Sequence, residues 1–262
     1  LTGWARIAVP VYVYAIALMS NLAVGVVLAT AFMQSRGASF QPVPTLENFR
    51  AALAIISNAL TNSLVFSALA LMAIIVAGAF IGYLISRRDN ALSRAVDLLV
   101  MIPYIVPGTV LGIGFAAAFN APPLLLTGTA AIIVVVYIVR RLPYMIRAAS
   151  SIVFQIDPSV EEASINLGVS PLRTFFRIMV PLMGPGLFAG ATLAWIEVFN
   201  ELSASIVLYT AFTRTLPVAT YQEVAGGFFG TAAALAAILI IMTALALWLF
   251  MRIGGADEDL TL

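Results

Sequence analysis

The chain has 262 residues, 62% of them hydrophobic and 10% charged, and its mean hydropathy is +1.07. Soluble domains are about 45–50% apolar and about 25% charged, so this composition calls for a lipid bilayer and excludes a domain solvated by water on all sides. The net charge is +1, all 13 basic residues are Arg, and Lys, His and Cys are absent. That excludes a basic footprint for nucleic acid, lysine Schiff bases, imidazole acid–base chemistry, thiol nucleophiles and Cys/His zinc sites together, and no catalytic or metal-ligating set is assigned.

The predicted fold is an all-α membrane protein with six transmembrane helices in a single domain over 1–262. A spanning helix needs about 20 apolar residues. The first span is placed at 7–33, in an apolar run after Arg6 that is too long for the core of a signal peptide. Trp4, Tyr12 and Tyr14 fit anchors at the membrane interface. A start at Leu1 in place of Met fits a chain trimmed or cut from a longer polypeptide. The second span is placed at 60–85, inside a charge-free run from Ala51 to Ser86. The next run, from Leu98 to Val139, would make a helix of about 60 Å, twice a hydrocarbon core. Asn120, Ala121, Pro122 and Pro123 divide it into spans at 97–119 and 124–142. Pro103, Pro107, Gly108, Gly112 and Gly114 predict a kinked third span that another helix approaches closely. The fifth span is placed at 183–209 and the sixth at 228–251, with Asp257, Glu258 and Asp259 as a solvated acidic tail.

The arginines orient these spans. With a cytoplasmic N-terminus, the inner segments hold Arg6, Arg87, Arg88, Arg94, Arg140, Arg141, Arg147, Arg173, Arg177 and Arg252, and the outer ones hold Arg36, Arg50 and Arg214. The positive-inside rule then places both termini in the cytoplasm. The longest cytoplasmic loop, about 143–181, is also the most polar stretch of the chain.

Within that loop Asp157 suits an N-cap and Pro158 a first helical turn. Glu161 and Glu162 lie where a helix dipole favours anions, and Gly168 suits a left-handed C-cap. The expectation is a short helix of about three turns lying parallel to the membrane, then a second helix from Pro171 bearing Arg173 and Arg177. An ordinary amphipathic connector would read similarly, but the spacing is more specific. Glu162-Ala163-Ser164, three residues, Gly168, nine residues, Ile178, two residues, Pro181 resembles the EAA loop of binding-protein-dependent ABC importer permeases. The family pattern is Glu-Ala-Ala, three residues, Gly, nine residues, Ile-x-Leu-Pro. Ser164 and Val180 depart from it by small changes.

The resemblance implies a type I ABC importer permease fold in the bacterial inner membrane. It implies that Glu161, Glu162, Ala163, Ser164, Gly168, Ile178 and Pro181 belong to a coupling loop that docks in a groove of a cytosolic ABC ATPase dimer. A second permease half (identical, paralogous or fused) would complete the pore, an extracytoplasmic solute-binding protein would deliver the solute, and membrane lipid would surround the spans. ATP and Mg would sit on the partner ATPase. This chain would bind no cofactor and be no enzyme itself, since a Walker A sequence needs a Lys.

Polar residues in the fifth span bear on the cargo. Glu197 and Glu201 are four apart, the spacing of one helix face, with Asn200 and Ser203 beside them. A charged side chain at the bilayer centre costs roughly 2.5–3.5 kcal/mol on insertion scales. The pair therefore either bonds an arginine at a span end or lines a polar translocation path, and an acidic lining suits a cation. Glu201-Leu202-Ser203-Ala204-Ser205, Tyr209 and Arg214-Thr215-Leu216-Pro217-Val218 resemble the permeases of ferric iron importers, and polyamine, thiamine and 2-aminoethylphosphonate permeases carry similar runs. Ferric iron is the expected cargo. An ion-coupled secondary transporter using Glu197 and Glu201 would leave the loop motif unexplained. A membrane-embedded enzyme would have only carboxylates and hydroxyls to work with.

Overall fold

A computed structural model describes residues 3–255, so the predicted acidic tail at Asp257, Glu258 and Asp259 lies outside the described residues. The chain divides into two compact units, Leu1–Ser57 with Leu216–Ile241 and Asn58–Thr215 with Met242–Leu262.

The first unit opens with α1 (Ala5–Ala31), whose apolar side chains stay exposed along most of its length, as a lipid-facing helix requires. A short hairpin follows, β1 (Met33–Arg36) paired antiparallel with β2 (Ser39–Pro44), Arg36 opposite Ser39. Gly37 has φ 56° at the first position of the two-residue turn, the geometry of a type II′ hairpin. No strand was expected here from the apolar runs. Helix α2 (Glu47–Arg87) begins well ahead of the span predicted at 60–85. Its Asn48 is buried, and Nδ2 donates to the carbonyls of Ala31 at 3.0 Å and Met33 at 2.8 Å. The Ala31 carbonyl, at the last residue of α1, has no partner within that helix. Helix α10 (Leu216–Ala225) precedes α11 (Phe229–Gly255), which belongs to this unit as far as Ile241 and whose Ala233 and Ala237 pack with Ala31 in a small core flanked by Leu28 and Phe49.

The second unit holds the larger core. Phe66, Ile74, Ile132, Ile133, Met145, Val153, Met179 and Met183 are all buried in it. Helix α3 (Ala91–Ile105) meets α4 (Gly108–Ala118) at a bend of 108°. Val106, the residue before Pro107, is extended (φ −70°, ψ 132°), as a residue preceding proline prefers. Helix α5 (Ala130–Val153) runs eleven residues past the predicted end of the fourth span and packs along α8 (Val180–Phe199). Between them lie α6 (Ser159–Asn166) and α7 (Pro171–Thr174), the latter leading through a π-helical turn at Phe175–Met179 directly into α8.

Two expectations need correction. The fifth span is not one helix over 183–209: α8 stops at Phe199, and helix resumes only in α9 (Ser205–Leu208). Local side chains take the backbone bonds at the break. Asn200 Nδ2 donates to the Ile196 carbonyl at 2.8 Å, and the Glu201 carboxylate accepts the Ala204 N–H at 3.0 Å. Glu201 is therefore not on a helix with Glu197. In addition, four helices are long and apolar enough to cross a bilayer among the described residues: α1, α2, the run Pro171–Phe199 and α11. The bent pair α3–α4 brings the number to five if it is counted as one broken span. Helix α5 does not qualify because it carries Arg140, Arg141 and Arg147, so six spanning helices are not confirmed.

Candidate coupling loop and buried charge cluster

The loop helix is shorter than predicted, eight residues or about two turns. Its N-cap is Pro158 and not Asp157, which stands one residue ahead with Oδ1 accepting the Ser159 N–H at 2.8 Å. That bond holds the Asp157 carboxyl below the usual carboxylate range. Gly168 ends it at φ 83°. Its N–H donates to Ile165 O at 2.9 Å and the Val169 N–H to Ser164 O at 3.2 Å, the paired bonds of a Schellman cap. Ser164, the motif's substituted position, is buried and exchanges a hydrogen bond of 2.9 Å with Thr174, fastening α6 to α7. Glu162, Ala163, Ile165 and Leu167 are exposed, Leu167 by 85%. Glu161 turns the other way and pairs with Arg87 and Tyr83 of α2. Ile178 is half-buried in the π turn, and Pro181 is the exposed second residue of α8.

The second constellation forms where α8 breaks. Glu201 is only 2% exposed. Its Oε2 lies 2.5 Å from both Arg140 Nη1 and Arg141 Nη2, and Arg141 Nη1 lies 3.0 Å from Glu197 Oε2. The arginine pairing weighed from the sequence is thus present, and its arginines lie within α5, which runs on past the predicted end of the fourth span. Buried charges persist when they pair in this way. Two hydroxyls close the cluster, Tyr137 and Ser205 at 2.8 Å, both buried. Gly108, at the start of α4, makes room: a Cβ there would lie 2.5 Å from the Cβ of Ser203 and 2.6 Å from Arg140 Nη1. Ser203 itself is exposed, and Asn200 is exposed with Nδ2 3.3 Å from Thr243 Oγ1. Arg141 also stands over the Tyr144 ring at 6.0 Å, and Tyr144 helps line a cavity of about 370 Å³ with Met101, Tyr104, Arg147 and Leu193. No group of three or more His, Cys, Asp or Glu side chains comes together to hold a metal among the described residues.

Residues 74–254 match the family of binding-protein-dependent transport system inner membrane components. The chain belongs to that family. The permease is similar to the ferric transport system permease protein FbpB of Actinobacillus pleuropneumoniae, 33% identical over 183 residues, which is 70% of this chain and 27% of that protein. It is similar to a putative ferric transport system permease protein of Haemophilus influenzae, 35% identical over 155 residues, 59% of this chain and 24% of that one. It is also 28% identical over 154 residues to the molybdate/tungstate transport system permease protein WtpB of Pyrococcus abyssi, covering 59% and 61%. The permease spans about a quarter of the length of the two ferric relatives. Among solved structures, a bacterial ABC transporter involved in alginate import shares its fold at a TM-score of 0.72 and 16% identity, covering 99% of both chains. The inward-facing MetNI methionine ABC transporter matches at 0.66 and 21%, covering 79% and 97%.

Several functional residues escaped the sequence reading. Tyr83 and Arg87 lie 78 and 74 residues from Glu161, and nothing local announces the contact. Arg140 and Arg141 did carry a signal: two adjacent charges interrupting an apolar run, with two carboxylates in the next long run to match them.

Proposed function

We propose that the permease forms half of the translocation pathway of an ATP-driven importer in the bacterial inner membrane. The observation that carries this reading is the loop helix, closed at Gly168 and presenting Glu162, Ala163, Ile165 and Leu167 outward, a ready face for a groove on a cytosolic ATPase dimer. ATP and Mg belong to that partner, and this chain binds no cofactor of its own. A second permease half completes the pore, and an extracytoplasmic binding protein supplies the solute. Both termini are cytoplasmic in this reading. Setting aside the three arginines of α5, Arg140, Arg141 and Arg147, leaves seven on the inner side and three on the outer, so the positive-inside bias persists.

Ferric iron is the cargo this reading favours, supported by the two ferric relatives. An oxyanion is the second reading, and one observation favours it. Arg140 and Arg141 neutralise Glu197 and Glu201, which removes the acidic lining that would attract a cation, and a molybdate/tungstate permease is among the relatives. The test is ATP-dependent uptake into proteoliposomes holding the permease with its ATPase, second half and binding protein. Uptake of ferric iron without molybdate is expected, the reverse selects the oxyanion, and uptake without ATP overturns the importer reading.

A further inference from the structure

We propose that the end of α2 grips the coupling helix: Tyr83 and Arg87 clamp Glu161, so that α6 and α2 move as one body when the ATPase closes. This rests on the reading of the loop as a coupling element. Positions 80, 83 and 87 follow the i, i+3, i+7 spacing of one helix face, and together they hold three successive parts of the loop. Ahead of α6, Arg87 Nη2 donates to the Ile156 carbonyl at 2.9 Å. Within α6, Arg87 Nε and the Tyr83 hydroxyl, the latter at 2.7 Å, donate to the two oxygens of Glu161. Beyond α6, the rings of Phe80 and Tyr83 pack on buried Phe175 at 5.6 Å and 4.9 Å.

The Arg87 and Glu161 side chains are 16% and 13% exposed. A charge-assisted pair shielded to that degree holds better than a surface pair. The same stretch of α2 is fixed to α5. A Cβ on Gly82 would lie 2.6 Å from the Cβ of Ala149, and the Gly82 carbonyl accepts the Ser150 hydroxyl at 3.3 Å. The covalent route from α6 to α8 passes instead through the non-helical residues 167–170 and then α7 and the π turn at Phe175–Met179. The adjacent glutamates thereby divide their roles. Glu161 faces α2, and Glu162 is left exposed for the partner.

The test uses the full permease in complex with its partners and separately in detergent. In the complex, Arg87→Met should retain the ATPase subunit and basal ATP turnover while solute imported per ATP falls about tenfold, within the usual range of coupling between sites. Tyr83→Phe should give a few-fold loss, and the swap Arg87→Glu with Glu161→Arg should recover part of what Arg87→Met loses. In detergent, spin labels at positions 88 and 162 should give a narrow distance distribution in the otherwise native chain and a broad one in Arg87→Met. An unchanged import-to-ATP ratio together with an equally narrow distribution overturns the clamp. Failure of the native permease to retain any ATPase would instead overturn the coupling reading, and the label distances would still decide whether α6 and α2 move together.

Discussion

Neutralising Glu201 should be far more damaging than neutralising Glu197, although both carboxylates meet Arg141. Glu201 is 2% exposed and holds Arg140 Nη1 and Arg141 Nη2 at 2.5 Å each, while the Glu197 side chain is 42% exposed and meets Arg141 alone at 3.0 Å. In Glu201→Gln, Arg140 loses its carboxylate partner with its side chain only 11% exposed. Removing one partner of a buried pair costs about 3–5 kcal/mol. At about 2–4 °C per kcal/mol for a chain of this size, the melting temperature of the detergent-purified protein should fall on the order of 10 °C. Trp195, stacked on Phe199 at 5.7 Å at the α8 break, makes intrinsic fluorescence a local reporter. Glu197→Gln should cost no more than about 1 kcal/mol, the range of exposed pairs, and Arg140→Gln should restore part of the stability lost in Glu201→Gln. Equal melting temperatures for Glu201→Gln and the native chain, or a larger loss from Glu197→Gln, would refute the reasoning.

Other outcomes follow from single sites. Gly108→Val places carbon against Ser203 and Arg140 where a Cβ already approaches 2.5 Å and 2.6 Å; overpacking costs typically about 1–3 kcal/mol, read as a lower melting temperature. Ser164→Val strands the buried Thr174 hydroxyl at about 1–3 kcal/mol, and adding Thr174→Val should recover most of it. In this Cys-free chain, single cysteines at positions 90 and 166 should resist impermeant labelling from outside intact cells, and labelling at either would reverse the proposed orientation.

The legible parts of the sequence were those written in local pattern. Apolar runs located α1, α2 and α11, and Pro107 and Gly108 announced the bend between α3 and α4. Gly168 announced the end of α6 because a left-handed residue closes that helix. What stayed hidden depends on partners distant in sequence. Arg140 and Arg141 read as the charged inner end of the fourth span, and only the contacts with Glu201 and Glu197, 56 to 61 residues away, show where their charges go. Glu201 read as helical because i, i+4 spacing fits a helix, yet its carboxylate caps Ala204 after the helix has ended. The hairpin at Met33–Pro44 was missed because its strands are four and six residues long and do not alternate cleanly.

If the loop around α6 couples this permease to ATP hydrolysis, Gly168→Val should break that coupling. A Cβ at Gly168 meets nothing within 4 Å, so the substitution acts through the backbone at φ 83°. A side chain in that conformation costs about 1–2 kcal/mol, enough to reorient α6 while the membrane helices, bonded within themselves, stay in place. The measurement is ATP turnover stimulated by solute-loaded binding protein in the reconstituted complex. Normal membrane insertion with stimulation lost is the expected result, and normal stimulation in Gly168→Val would mean that this loop is not the coupling element.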